Sequence, residues 1–455
     1  MKLKLAVIKN IIAGTGNQAI NVICRLIQVP LLLSVLGTSE YGRWIVLSSI
    51  PSILSMSNIG FGSVAANDIS ILIAANNIKK AKEIYSTTLI IIIGIVVNIF
   101  LISLIASNFI NFSGFLGVSN TREREIQYAF IFLALNVLIN FPNEVFSSRF
   151  RAARMANVSI AISGFRPLVD LIAISFVVRF STTFDDLSLA LLTTSVIYLF
   201  FIQQWSRKVM PCLSFSFKFV KFENFYSLFT KGLSFQLFTL GNILQLQGTI
   251  FVIQFILGPT YVALYSSIRT LTGIVNQALG MINQATWPEF THLLGKSDYG
   301  RAARLHRIGS LICYLLAFFG FFLLAILGQY IYNIWTLKNL NLPFHLLIVF
   351  LLPIPISAAS ACSHSVIAAC NQHEQLAVRF LAGTVLSLLS AIVLSPYFGM
   401  EGVALSSLFI YLFTTRYAIN YAIILTHDTF PGFFNGIKME FFYFFKMFLK
   451  RFLYH

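Results

Sequence analysis

Residues 11–36 read IIAGTGNQAINVICRLIQVPLLLSVL. The run is longer than the roughly 20 apolar residues a helix needs to cross a bilayer, and it holds no acidic residue. Its polar residues are not scattered. Gln18, Asn21, Arg25 and Gln28 follow one another at intervals of three, four and three, which places all four on one helix face. A polar stripe on an otherwise apolar helix marks a membrane span that turns one side toward protein or water rather than lipid.

The same pattern recurs along the chain. Long apolar runs cover about 11–36, 41–66, 84–109, 126–148, 157–180, 187–205, 232–257, 260–287, 308–334, 344–370, 375–396 and 400–425. Of 455 residues, 57% are apolar and 11% charged, and the mean hydropathy is +0.81. A soluble domain carries roughly a quarter of its residues as charges, so this composition excludes one. Runs this long are helical, since only helices and closed barrels satisfy their backbones in lipid. The first run continues past the length of a signal-peptide core and has no convincing cleavage site, so it reads as a retained span. The fold class expected is an all-α polytopic membrane protein of about twelve transmembrane helices, with both termini on one side.

The charges supply the orientation. Lys+Arg number 32 against 16 Asp+Glu, a net +16. The basic residues cluster in alternate loops: Lys79, Lys80 and Lys82; Arg149, Arg151 and Arg154; Arg207, Lys208, Lys218 and Lys221; Lys296, Arg301 and Arg304. The intervening loops are nearly neutral. The positive-inside rule then places both termini in the cytoplasm, and the surplus reads as topology rather than as a nucleic-acid footprint. After residue 425 comes a tail with Phe441, Phe442, Phe444, Phe445 and Phe448 among Lys438, Lys446, Lys450 and Arg451. This composition suits a helix lying on the anionic inner leaflet.

A weak internal repeat divides the chain. Leu36-Gly37 closes span one and Leu257-Gly258 closes span seven; Tyr41 and Gly42 open span two as Tyr261 and Ala263 open span eight. The expected layout is an N-terminal six-helix lobe (1–210), a basic cytoplasmic linker (211–231), a C-terminal six-helix lobe (232–425) and the tail (426–455). Two pseudo-symmetric lobes would enclose a central cavity and rock in alternating access.

Ionisable residues at membrane depth are costly and functional by default. Span four has Asn136, Asn140 and Glu144 at intervals of four, and span five has Ser159, Ser163, Arg166 and Asp170. Span seven has Gln236, Thr239 and Gln247. Span eight has Arg269, Thr272, Asn276 and Asn283, and span twelve has Arg416. Arg25, Arg166, Arg269 and Arg416 are the candidate cavity cations, with Asn21, Gln28 and Asn276 beside them. A guanidinium keeps its charge on partial dehydration and matches phosphate in a fork, while amides suit sugar hydroxyls. Two other readings stand next to this one. Arg166 and Asp170, four residues apart, suit a structural pair, and amide stripes also join helices to one another. Arg43 and Arg379 lie near span ends and read as interfacial. Pro51, Pro167, Pro353 and Pro355 are expected to kink their helices.

No catalytic constellation is present in the sequence. Gly14-Thr15-Gly16 follows no strand, there is no Walker sequence, the seven His residues have no ligand spacing, and no polar connection is long enough for a catalytic domain. Neither an enzyme, a cofactor nor a metal site is expected.

The order of features resembles the Wzx-type O-antigen and polysaccharide flippases of the multidrug/oligosaccharidyl-lipid/polysaccharide exporter (MOP) superfamily, whose fold is MATE-like. The resemblance covers about residues 1–425. It rests on the two six-span halves and on Leu36-Gly37 followed by Glu40-Tyr41-Gly42. It rests further on Gly258-Pro259 followed by Tyr261, Leu264-Tyr265 and Arg269, and on Trp287-Pro288-Glu289-Phe290 before Arg301 and Arg304. Ala263 departs from the common form, where Gly is frequent. The resemblance implies a flippase carrying an undecaprenyl-pyrophosphate-linked oligosaccharide from the cytoplasmic to the periplasmic leaflet of a bacterial inner membrane. It implies coupling to an H+ or Na+ gradient, for which Asp170 and Glu144 are the candidate groups. It also implies functional association with a polysaccharide polymerase and a chain-length regulator, besides membrane lipids. The alternatives are a peptidoglycan lipid-precursor flippase and a multidrug or cation exporter of the same superfamily. The last would want a carboxylate-lined cavity, against which the buried Arg residues argue.

Overall fold

The computed structural model describes residues 2–58, 60–221, 223, 237–370 and 372–453, and their regular structure is helical throughout. The chain forms two compact units, Met1–Ala263 and Leu264–His455. The expected linker at 211–231 lies partly outside the described residues, as does Gln236.

The first unit begins with α1 (Lys2–Leu36), α2 (Thr38–Ile53), α3 (Phe61–Ala74) and α4 (Ile78–Ser107). It continues with the short α5 (Phe112–Leu116), α6 (Glu123–Leu138), α7 (Asn143–Ala152), α8 (Ala156–Val177) and α9 (Phe184–Val209). It ends with α10 (Leu237–Ile256), which contains a π-helical turn at Leu244–Gly248. The second unit holds most of α11 (Pro259–Gly295), then α12 (Tyr299–Trp335), α13 (Phe344–Leu351) and α14 (Pro353–Ala369). The chain ends in α15 (Glu374–Ser406), α16 (Leu408–Leu425) and α17 (Phe430–Leu453).

Nine helical stretches among the described residues are long and apolar enough to span a membrane, and the broken pair α2 and α3 makes a tenth. Two facts reconcile this with twelve. Helix α11, expected as span eight, carries too much of the polar stripe to count by hydropathy. The stretch Glu374–Leu425 is a hairpin rather than one long span. Gly399 has a φ of 55° and a ψ of −134°, a conformation that only glycine enters readily. Across that turn Gly383 abuts the Ile410 backbone and Arg379 lies over the Tyr417 ring. Pairing that moves outward on both sides of Gly399 is antiparallel.

Span four departs from expectation. Helix α6 stops at Leu138, residues 139–142 form a turn ahead of α7, and Pro142 precedes the new helix. The equal spacing of Asn136, Asn140 and Glu144 therefore does not put them on one face. Pro51 and Pro353 do mark helix changes, at the 3-10 turn Leu54–Ser57 and the start of α14, whereas α8 runs unbroken through Pro167.

The two Leu-Gly turns adopt the same form. Gly37 and Gly258 have φ of 78° and 95°, and neither has a neighbour where a Cβ would stand. The segments after them meet within the first unit: a Cβ on Gly42 would fall on the Pro259 carbonyl. Because the obstacle is backbone, no rotamer change relieves it. Gly42→Ala is expected to cost about 1–3 kcal/mol, the usual range for overpacking, seen as a lower unfolding temperature in detergent. Gly94→Ala, where nothing lies within 4 Å, should be neutral or stabilising; equal behaviour of the two variants would refute the close approach.

Helix α17 is held on α12 by charge and by aromatic packing. Arg307 donates from Nε and Nη2 to the two Asp428 oxygens at 2.8 and 2.6 Å, and Arg304 pairs with Glu440 at 2.8 Å. His306, buried, hydrogen-bonds Ser363 at 2.9 Å and stacks on Phe433 at 4.6 Å. Burial pushes the Asp428 carboxyl up, but the Arg307 hydrogen bonds outweigh it and hold the carboxyl below its ordinary range. A carboxylate lowered on folding stabilises above its unfolded pKa of about 3.9, and that support is lost as pH falls through the folded value. Asp428→Asn should raise amide exchange in the first turns of α17 about tenfold at neutral pH, the loss of one charged hydrogen-bond pair. Acidifying the native protein below pH 4 should likewise lower protection relative to the intrinsic exchange rate at that pH, and unchanged protection in both cases would show that the pair restrains nothing.

Candidate functional site

A polar cluster at span depth in the first unit lies among α6, the turn after it, α8 and α9. Arg166 on α8 donates from Nη1 to Asn140 Oδ1 at 2.5 Å and from Nη2 to Ser195 Oγ at 2.7 Å. Ser195 in turn donates to Asn136 Oδ1, and Asn143 donates to Asn140 Oδ1 at 2.8 Å. Asp170, one turn along α8, stands 3.7 Å from Arg166 Nε and accepts from Thr194 at 2.5 Å. The guanidinium also lies 5.5 Å from the Tyr198 ring centre. Arg166 and Asp170 are thus neighbours, but the strong hydrogen bonds of the cation go to neutral oxygens. These fix its direction without cancelling its charge, and they occupy only two of its five N–H groups.

The break after α6 makes this possible. A continuous helix would carry Asn140 onward with its own turn; released at 139–142, its carboxamide reaches across to α8. Helix α1 closes the other side. Asn17 abuts Gly164, where a Cβ would stand 3.1 Å from it, and donates to Ser163 at 3.5 Å. Ala13 faces the Asn157–Ala161 turn of α8 across a pocket, so α1 and α8 run parallel, as spans one and five should.

That pocket has a volume of about 740 Å3 and is lined by Phe165, Val169, Ile197, Phe201 and Trp205 with Arg166 and Tyr198. Its walls are mostly hydrocarbon and aromatic, with one guanidinium and the Thr194 and Asn157 side chains as polar exceptions. Such a space receives an apolar body bearing a single anionic or hydroxylated end.

The other sequence-predicted residues fall in different surroundings. Arg25 is exposed on α1, with Gln28 half-buried one turn on. Asn21 donates back to Asn17, to its carbonyl at 2.9 Å and its Oδ1 at 2.7 Å, so it serves its own helix. Glu144 accepts from Ser63 of α3 at 2.9 Å and packs on Gly62. It therefore joins α3 to α7 and does not enter the Arg166 network. In the second unit Arg269 lies over Tyr265 at 5.5 Å, and its Nη1 is buried with no hydrogen-bond partner. Asn276 is exposed on the same helix. Arg416 lines a separate pocket with Arg379.

Sequence periodicity missed Ser195, Thr194 and Tyr198 because α9 reads as an ordinary apolar span. Their spacing, with Tyr198 one turn beyond Thr194 and Ser195, was the available signal. It also set Arg149 among the loop charges. Arg149 is buried, donates twice to the Leu213 carbonyl at 2.9 and 2.7 Å and lies 4.6 Å from the Tyr85 ring centre, pinning the chain after α9.

No family model matches the chain. A curated Yersinia pseudotuberculosis protein, provisionally named an O-antigen export protein, is 22% identical over 347 residues, covering 74% of this chain and 77% of that protein. Among solved structures, a multidrug-resistance MATE transporter of the MOP superfamily in its inward-facing conformation aligns with a TM-score of 0.72 at 14% identity. That alignment covers 89% of this chain and 96% of the other. An outward-facing MATE transporter of that superfamily gives 0.65 at 14% identity, covering 92% and 96%. A Pyrococcus furiosus MOP transporter described by the reverse polarity of its binding pocket gives 0.66 at 14% identity, covering 93% and 94%. The matched proteins are transporters, not enzymes, and the resemblance read from residues 1–425 is borne out. The chain is a multi-pass helical membrane protein with the fold of the MATE transporters of the MOP superfamily, and its sequence is similar to that of an O-antigen export protein.

Proposed function

We propose that the protein is a flippase for an anionic, lipid-linked oligosaccharide, an undecaprenyl-pyrophosphate-linked repeat unit of O-antigen or capsule type. It moves this cargo from the cytoplasmic to the periplasmic leaflet of a bacterial inner membrane by alternating access, with both termini cytoplasmic and six spans in each half. The observation that carries the reading is a surplus of guanidinium donors over carboxylates within the spans. Arg166 is aimed by neutral hydrogen-bond partners, with Asp170 3.7 Å away, at the edge of an apolar pocket, and Arg269 has a buried nitrogen with no acceptor. A buried cationic donor without a partner costs several kcal/mol, a cost that an incoming pyrophosphate oxygen relieves. In the first unit Arg166 and the exposed Arg25 are the phosphate partners and Gln28 a sugar partner; in the second unit Arg269 and the exposed Asn276 are the candidates for the same two roles. A drug cation would be repelled by the same set. The name of the Yersinia relative supports this reading, and the reverse-polarity relative gives precedent for a pocket of altered charge on this fold.

Asp170 is the coupling group for H+ or Na+, since its carboxylate stands between Thr194 and Arg166 and its charge sets how firmly the guanidinium is held. Glu144, bound to Ser63, is the second candidate. A polysaccharide polymerase and a chain-length regulator act on the cargo after it.

The test is complementation of a strain lacking the gene. Arg25→Ala, Arg166→Ala and Arg269→Ala should each abolish surface polysaccharide with the protein still in the membrane; normal polysaccharide in all three would sink the cationic reading. In vesicles Asp170→Asn should remove the dependence of flipping on an ion gradient, and retained dependence would reject its coupling role.

A further inference from the structure

The α15–α16 hairpin brings together two cations that lie 37 positions apart in sequence (Arg379 and Arg416). They line one pocket of about 360 Å3 with Tyr417 and Asn420, and Leu412 and Phe413 complete it. No carboxylate lines that pocket, and among the described residues neither arginine has an ion pair. Arg379 is braced face-on at 4.4 Å from the Tyr417 ring centre, and the Tyr417 hydroxyl is itself fixed on Gln375 at 3.1 Å. Two guanidiniums in one pocket, Arg379 aimed by its ring and no acid in the lining, suit an anion such as a phosphate, which a guanidinium grips in a fork.

A second pocket of about 990 Å3 adjoins the first along the Leu412, Arg416 and Asn420 ridge of α16, which lines both. Its remaining walls are chiefly apolar: Ile356 of α14, Ile419 of α16, and Phe430 and Phe434 of α17. The Thr415 hydroxyl, on this wall, is buried and has no hydrogen-bond partner. Arg416 thus stands between a pocket that holds the second cation and one walled chiefly by hydrocarbon. Arg379 lies about 8 Å into α15 and Arg416 about 14 Å from the end of α16, at 1.5 Å per residue. Both are near enough to the interface for a long side chain to meet a headgroup. Helix α17, with exposed Lys438 beside its exposed aromatic residues, starts at this same end of the hairpin, as a helix on an anionic leaflet would.

We propose that the two adjoining pockets together bind an anionic phospholipid of the surrounding membrane. Arg379 and Arg416 hold its phosphate, and one acyl chain lies along Ile419, Phe430 and Phe434. The α12–α17 clamp, through Arg307 and Asp428, keeps the third wall in place. The site is independent of the cargo reading, because its ligand is a bilayer lipid and not the transported molecule.

The test is lipid binding by the purified full-length protein in detergent, followed by native mass spectrometry and by unfolding temperature. Phosphatidylglycerol should be retained and raise the unfolding temperature more than phosphatidylcholine. Arg379→Ala with Arg416→Ala should weaken phosphatidylglycerol binding about tenfold or more, the loss of one or two charge-assisted contacts. Its unfolding in phosphatidylcholine should match the native protein. Arg379→Lys with Arg416→Lys, which keeps the charge and loses the forks, should bind less tightly than native. Equal binding of the two phospholipids, or native phosphatidylglycerol affinity in either double variant, would overturn the proposal. A response confined to a polyprenyl diphosphate would overturn it as well.

Discussion

In hydrocarbon a backbone N–H or C=O without a partner costs several kcal/mol, and water is not there to supply one. This requirement forces the chain into helices and decides where the helices are allowed to stop. Each interruption inside a span is stitched by local bonds. After α6, Phe141 N–H donates to the Leu138 carbonyl at 3.0 Å and Asn143 N–H to the Asn140 carbonyl at 3.1 Å. After α1, Gly37 N–H donates to the Leu33 carbonyl at 3.0 Å. The breaks fall where residues make them cheap: glycines able to take positive φ at 37, 60, 258 and 399, and a proline at 142 with no N–H to lose.

The same requirement governs the side chains and separates arginines that anchor the chain from those proposed to meet a ligand. Arg149 spends its donors on a carbonyl and a serine hydroxyl and anchors a chain crossing. Arg166 is oriented by an amide and a hydroxyl and keeps its charge beside an open apolar space. Arg379 lies over the Tyr417 ring and lines one pocket with Arg416. The partners therefore tell more than the depth: neutral acceptors aim Arg166, and Asp170, 3.7 Å from its Nε, balances part of its charge.

Much of the fold was legible because a bilayer enforces one simple pattern. Apolar length located the spans, and Gly399 divides Glu374–Leu425 where the apolar runs suggested. The site was less legible, for a physical reason. Periodicity assumes an unbroken helix, so the stripe of Asn136, Asn140 and Glu144 misled once the chain turned at 139–142. Glu144 went to Ser63 as a result, and Asn140 reached Arg166. Partners on other helices, such as Ser195 and Thr194, leave no mark in a one-dimensional pattern. Arg379 looked interfacial because its distance from a span end was visible and the hairpin that pairs it with Arg416 was not.

The central claim is that a cationic set of side chains on this fold carries an anionic lipid-linked sugar. Its most direct test uses proteoliposomes with a fluorescent oligosaccharide pyrophosphate lipid in both leaflets, followed by quenching from outside. The purified protein should make the inner-leaflet fraction quenchable well above the rate in empty liposomes, while a cationic dye stays put. Transport of the dye with no acceleration for the pyrophosphate lipid would contradict the claim.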